Sequence, residues 1–224
     1  MSVAQQSSTA ESGPKTPATG ATLWFTGLPS AGKSTIAHAL ADQLRAEGRR
    51  VQVLDGDEVR PHLSAGLGFS REDRNVNVRR VGWVARLLAS HGVTVLVPVI
   101  APYAAARDSI RADHAEAGVP YGEVFVSIAL EVAEQRDVKG LYAKARRGEL
   151  TGMTGVDDPY ERPESAELVL DTASVDLETS VQRSRAVLSV ILGEPSAILA
   201  KPSVILEEAS VILEEASVIL EEKS

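Results

Sequence analysis

The chain has no cysteine among its 224 residues, which excludes disulfides, thiolate metal sites and a thiol nucleophile. It also lacks a basic surplus. The net charge is −8, and an acidic balance argues against nucleic acid as a partner. The acidity is uneven, because seven Glu and two Lys from Glu194 onward account for −5 of it. Long hydrophobic runs are missing too: the longest, around "VTVLVPVIAPY", is too short to span a bilayer. The first twenty residues have neither a basic start nor an apolar centre, so no signal peptide is expected. These absences lead to the expectation of a soluble cytoplasmic protein with no membrane partner. The 4 histidines, His38, His62, His91 and His114, are scattered without ligand spacing and read as surface or packing residues.

What is present is a chain with 44% hydrophobic residues, long enough for one sizeable α/β domain and short for two. Residues 1–20 are rich in Ser, Thr, Ala and Pro and read as a disordered lead-in. Residues 21–193 alternate apolar strands with amphipathic helices. The strands are "ATLWF", "VQVLD" (51–55), "VTVLVPV" (93–99), "GEVFVSIAL" (122–130) and "LVLD" (168–171). Continuously apolar strands between helices predict a mostly parallel five-stranded sheet covered on both faces. Trp24 in the first strand and Trp83 on a helix's apolar face are expected in the core. Residues 194–224 carry "SVILEEA" twice and then "SVILEEK". Ile205, Ile212 and Ile219 form a marginal heptad seam. A passive acidic appendage is the expectation, with a homodimer joined through that seam as the rival.

Chemistry enters at "GLPSAGKST", where Gly27, Leu28, Pro29, Ser30, Ala31, Gly32, Lys33, Ser34 and Thr35 follow the first strand and open a helix. The spacing is that of a phosphate-binding loop, whose inward N–H groups and helix N-terminus receive ATP phosphates. Lys33 is placed to reach the outer phosphates, and the Ser34 hydroxyl to hold Mg²⁺ brought with ATP. Ligands of parallel sheets sit beyond the strands' carboxyl ends. Asp55 to Arg60, Ile100 to Tyr103 and Ser127 to Ala129 fall there with the loop. Asp55 and Asp57 then read as metal or acceptor carboxylates, or as a helix cap. Phe69 precedes a helix capped by Ser70 and offers a surface on which a base could stack, while Arg74 and Asn77 share one face of that helix.

The motifs "GLPSAGKST", "LDGDEVR", "LGFSREDRNVNVRR", "RDVKGLYAKARRGELTGMTGVDDPYE" and "AELVLDT" together resemble the adenylylsulfate kinase family over about Ala21 to Leu192. The resemblance implies a P-loop kinase-like fold and transfer of the ATP γ-phosphoryl group to the 3′-hydroxyl of adenosine 5′-phosphosulfate (APS), giving PAPS for sulfate assimilation. It places Asp57 between the acceptor hydroxyl and Mg²⁺, with Lys33 as its catalytic partner. It makes Arg60, Phe69, Arg74, Asn77, Ile100, Lys139 and Gly140 acceptor contacts, the last two on a mobile lid.

The pattern departs from the family at five positions. Ala101 stands where a Ser is sometimes taken as a phosphoserine intermediate, which excludes a phosphoenzyme route there. Ala104 replaces an Arg. Ser127 and Ala129 replace an Asp and a rigid Pro, an exchange expected to disturb the segment leading to Lys139. Met153 stands where a lid Phe stacks on the acceptor's adenine. Arg146 and Arg147 read equally as ATP contacts or as solvated surface. Another small-molecule P-loop kinase, or a nucleotide-binding protein with weakened turnover, remains open at the level of sequence. No ATP-sulfurylase domain is expected in the chain.

Overall fold

The computed structural model describes residues 20–194. The expectations for the lead-in and for the repeat tail therefore lie outside the described residues, apart from Gly20 and Glu194. Five strands, β1 (Ala21–Thr26), β2 (Val51–Val53), β3 (Thr94–Pro98), β4 (Tyr121–Ser127) and β5 (Leu168–Asp171), form one sheet in the order β2-β3-β1-β4-β5. Every pairing is parallel. Among the described residues seven helices accompany it: α1 (Lys33–Ala46), α2 (Gly56–Leu63), α3 (Arg71–Ser90), α4 (Ala104–Glu116), α5 (Leu130–Arg136), α6 (Leu141–Arg146) and α7 (Leu177–Ile191).

The central strand β1 is buried along its whole length, and its side chains alternate between two cores. Leu23 and Phe25 join Ile36, Leu40 and Leu44 of α1 and Val181 and Leu188 of α7. Trp24 points the other way, among Val78, Val81 and Ala85 of α3 and Ile110 of α4, and its indole N–H donates to the Val99 carbonyl at 3.0 Å. Gly82 lets α3 and α4 close together, since a Cβ there would lie 2.8 Å from Ile110 Cγ1. His114 packs in the interior, bonded to the Ile110 carbonyl and the Thr22 hydroxyl.

Three expectations need correction. Trp83 is 57% exposed. The stripe of α3 that meets the sheet is Val78, Val81, Gly82, Ala85 and Ala89, and Trp83 lies outside it. The second strand stops at Val53 because Asp55 turns out of the sheet to cap α2, accepting from the Asp57 N–H at 3.0 Å. The fourth strand stops at Ser127, because Ala129 is the N-cap of α5 and Leu130 its first residue.

Candidate active site

The phosphate loop leaves β1 through Gly27, at φ 145°, a conformation that residues with a Cβ rarely adopt. A Cβ there would lie 3.2 Å from the Val126 carbonyl carbon, with the carbonyl oxygen closer still. The loop passes through Ser30 at φ 61° and Gly32 at φ 100°, the latter forming the N-cap of α1 without a side-chain cap. The N–H groups in the first turn of a helix have no intrahelical acceptors, so those of Lys33, Ser34 and Thr35 are available to an anion. The loop is braced from outside: the Tyr142 hydroxyl donates to the Pro29 carbonyl at 3.1 Å, and the Thr172 hydroxyl to the Ala31 carbonyl at 2.9 Å. Arg136 holds Thr172 in turn, with Nη2 2.6 Å from its carbonyl oxygen.

Lys33 is buried and folds its ammonium back onto the loop, 3.0 Å from the Gly27 carbonyl and 2.7 Å from that of Leu28. Burial, with Lys139 adding to it and Asp55 opposing, pulls its pKa from 10.5 down to about 7. A buried ammonium at a helix N-terminus suits a polyphosphate as its counter-charge.

The two carboxylates of "DGD" differ in surroundings. Asp55 is buried, caps α2 and lies 3.9 Å from His38 Nε2. Asp57 is exposed and forms an ion pair with Lys139, 82 residues away in the chain. The segment carrying Lys139 and Gly140 therefore reaches the end of β2 across the site. Ala129 adopts φ −65° and ψ 142° without the ring that would impose this φ, and Ser127 keeps its carbonyl on the Thr172 N–H at 3.2 Å.

On the acceptor side, Phe69 is exposed and carries Arg60 over its ring at 4.1 Å. Arg60 also donates to the Gly68 carbonyl at 2.7 Å. Arg74 binds the Phe69 carbonyl at 2.8 Å, Thr154 Oγ1 at 2.8 Å and the Gly152 carbonyl, so it ties α3 to the segment 152–158. Asn77 accepts from the Ser64 hydroxyl. Met153 is turned into the core under the phosphate loop. Its backbone N–H is held by Asp157 at 2.5 Å. Ile100 is half-buried and its carbonyl accepts from the Thr26 hydroxyl at 2.5 Å. Arg146 and Arg147 are exposed and pair with Glu134 and Glu149.

Several residues at this end of the sheet escaped the sequence reading. Thr172 and Tyr142 brace the loop; Tyr103, Asp158, Tyr160 and Glu161 link the strand ends to the lid-like segment. The Tyr103 hydroxyl donates to Asp158 at 2.7 Å, and the Tyr160 and Thr26 hydroxyls lie 2.9 Å apart. All but Tyr103, which ends the Ile100 to Tyr103 stretch, lie in the quoted "RDVKGLYAKARRGELTGMTGVDDPYE" and "AELVLDT" stretches, yet spacing alone gave no contact partner for any of them.

No group of three or more His, Asp or Glu side chains among the described residues could enclose a metal. Mg²⁺ needs no such cluster, since it keeps several waters and is usually held by one or two protein oxygens plus substrate phosphates. The Ser34 hydroxyl makes no side-chain hydrogen bond among the described residues, and the site offers the oxygens of Asp55 and Asp57. These donors suit a hard cation. No helix of the described residues is long and apolar enough to cross a membrane.

Comparison with known proteins gives a consistent result. The model of a family described as adenylylsulphate kinase matches residues 19–171. An adenylyl-sulfate kinase of Picosynechococcus sp. is 49% identical over 164 residues, covering 73% of this chain and 90% of that relative. One from a Synechococcus sp. is 56% identical over 154 residues, covering 69% and 86%. Among solved structures, Mycobacterium tuberculosis APS kinase CysC in complex with AMPPNP and APS is 46% identical, with a TM-score of 0.75. That match covers 77% of this chain and 99% of the other.

Proposed function

The chain belongs to the adenylylsulphate kinase family, and from that premise we propose that it transfers the γ-phosphoryl group of ATP to the 3′-hydroxyl of APS, yielding PAPS. The observation that carries the assignment of roles is the Lys139–Asp57 pair. It brings the lid-like segment onto a strand-end carboxylate on the same side of the sheet as the phosphate loop. We assign the chemistry to residues 21–193, since every motif lies there, and its setting to the cytoplasm, where ATP is supplied.

Phosphoryl transfer demands little covalent work from the protein; positioning and charge neutralisation dominate. The first-turn N–H groups of α1 receive the β- and γ-phosphates. Lys33 leaves the Gly27 and Leu28 carbonyls for those phosphates and regains its full charge there. The Ser34 hydroxyl, with Asp57 on the acceptor side, would hold Mg²⁺, which when bound would neutralise charge on the phosphates. Asp57 accepts a hydrogen bond from the 3′-hydroxyl and holds its oxygen in line. Lys139, drawn off Asp57, follows the anionic acceptor. Phe69 provides a face for the adenine once Arg60 yields it, and Arg60 then serves the phosphosulfate. Arg74 and Asn77 complete the acceptor wall through α3, beside Ile100 and Gly140. With Ala at position 101 there is no hydroxyl for a phosphoenzyme there, which supports direct transfer.

A coupled ADP-release assay with APS, adenosine, gluconate or no acceptor tests this reading. ADP formation that depends on APS is expected. Equal turnover with gluconate, or turnover independent of acceptor, would defeat it.

A further inference from the structure

Arg107, on α4, is 2% exposed, and nothing in the mechanism above uses it. Its guanidinium nonetheless makes three polar contacts. Nη1 donates to the Ala101 carbonyl at 2.7 Å and Nη2 to the Glu161 carbonyl at 2.7 Å. Nε lies 2.9 Å from a carboxylate oxygen of the buried Glu123. The two carbonyls belong to different segments. Ala101 follows Ile100 in the loop leaving β3, and holds φ 45° without being glycine. Glu161 closes the segment that begins at Gly152, to which Arg74 is bound. The same two segments are joined again where the Glu161 N–H donates to the Pro102 carbonyl at 2.8 Å. Glu161 Oε2 also accepts from the Ala104 N–H at 2.7 Å, while Oε1 pairs with Arg71 at 2.9 Å. Arg107 grips both segments from beneath, with Glu123 as its counter-charge, and Thr26 joins them as well, through the Ile100 carbonyl and the Tyr160 hydroxyl.

We propose that Arg107 is a positioning residue for the acceptor: its fork sets the loop carrying Ile100 and the base of the lid-like segment at a fixed separation, and so shapes the acceptor half of the crevice without shaping the ATP half. The proposal rests on the acceptor reading given above. The phosphate loop has braces of its own, Tyr142 and Thr172, so the ATP half depends on this grip less than the acceptor half does.

Two variants test it. Arg107→Lys keeps the charge opposite Glu123 but replaces a planar fork with a point donor that cannot serve two carbonyls in fixed geometry. Arg107→Met combined with Glu123→Gln removes the buried pair as a unit, so that no charge is left unpaired. APS and ATP dependences are measured separately, with thermal melting as the control for folding. At least a tenfold rise in the KM for APS, with the KM for ATP within about twofold, is the expected result for both variants. Unchanged KM values in a folded variant would overturn the proposal. Parallel loss of ATP and APS use, through unfolding or otherwise, would overturn it as well, by making Arg107 a structural residue. Failure of the wild-type protein to use APS would instead remove the acceptor reading itself, and is seen before any variant is made.

Discussion

Gly27→Ala is the smallest change expected to disable the phosphate loop. The substitution adds one methyl group to a backbone at φ 145°, a region that is essentially reserved for glycine and costs about 1–3 kcal/mol for other residues. The methyl also collides with the Val126 carbonyl of β4, whose carbon is 3.2 Å away. That carbonyl belongs to the sheet, where Val126 is paired with Leu170, so the loop must give way rather than the strand. Relief needs a displacement on the order of 1 Å, a shift that costs about 10²-fold in rate when it misplaces reacting groups. The displaced atoms include the Gly27 carbonyl that Lys33 Nζ grips at 3.0 Å, so the movement passes directly to the phosphate-binding ammonium. A hundredfold fall in kcat/KM for ATP is expected, with a melting temperature lowered by a few degrees. Steady-state ADP release and a thermal melt measure both. A variant with wild-type ATP kinetics would refute the claim that this backbone geometry positions the loop.

The remaining predictions concern charge, backbone and tail. The Lys33 pKa of about 7 lies below the 10.5 of the free side chain, so between these values the unfolded chain holds a proton that the fold does not. This one group therefore makes stability rise with pH across that window, and its full penalty is present below about pH 7. Triphosphate binding should recharge Lys33 and take up a large fraction of a proton at pH 8 and almost none at pH 6. Calorimetric heats at pH 8 that do not depend on the buffer's ionisation enthalpy would contradict this. Ala129→Pro should stabilise the protein by about 0.4–1 kcal/mol in a denaturant melt, because φ is already −65° and no backbone bond from the Ala129 N–H is present among the described residues; a lower midpoint would show that the site is strained. Removal of residues 195–224 should leave kcat/KM within about twofold. The cut is placed after Glu194 because its carboxylate pairs with Arg49 and Arg185. Sedimentation that changes from dimer to monomer together with lost activity would instead support the isoleucine seam.

The sheet, its parallel pairing and the phosphate loop were legible because each rests on local signals: continuously apolar strands, the spaced glycines of the loop, and the helix that opens directly after it. What was not legible depends on distant partners. Trp83 sits among apolar residues in the chain, but only the packing of α4 against α3 decides which stripe is covered. Asp55 and Asp57 are two residues apart, yet one is buried as a cap and the other is carried out to meet Lys139. Met153 occupies an aromatic position of the family pattern but turns into the core. The bonds of Arg74 to residues 152 and 154, about 80 positions away, have no local signature. Ala129 shows the converse: the loss of proline removes a constraint on the unfolded chain while the folded backbone keeps its φ.

The most direct test is the fate of the γ-phosphoryl group. Purified full-length protein with γ-labelled ATP, Mg²⁺ and APS should yield one labelled product carrying the label on the 3′-oxygen of the adenosine, as read by mass spectrometry and phosphorus NMR. Label that appears only as inorganic phosphate, that attaches to another oxygen, or that transfers equally well to gluconate would contradict the assignment.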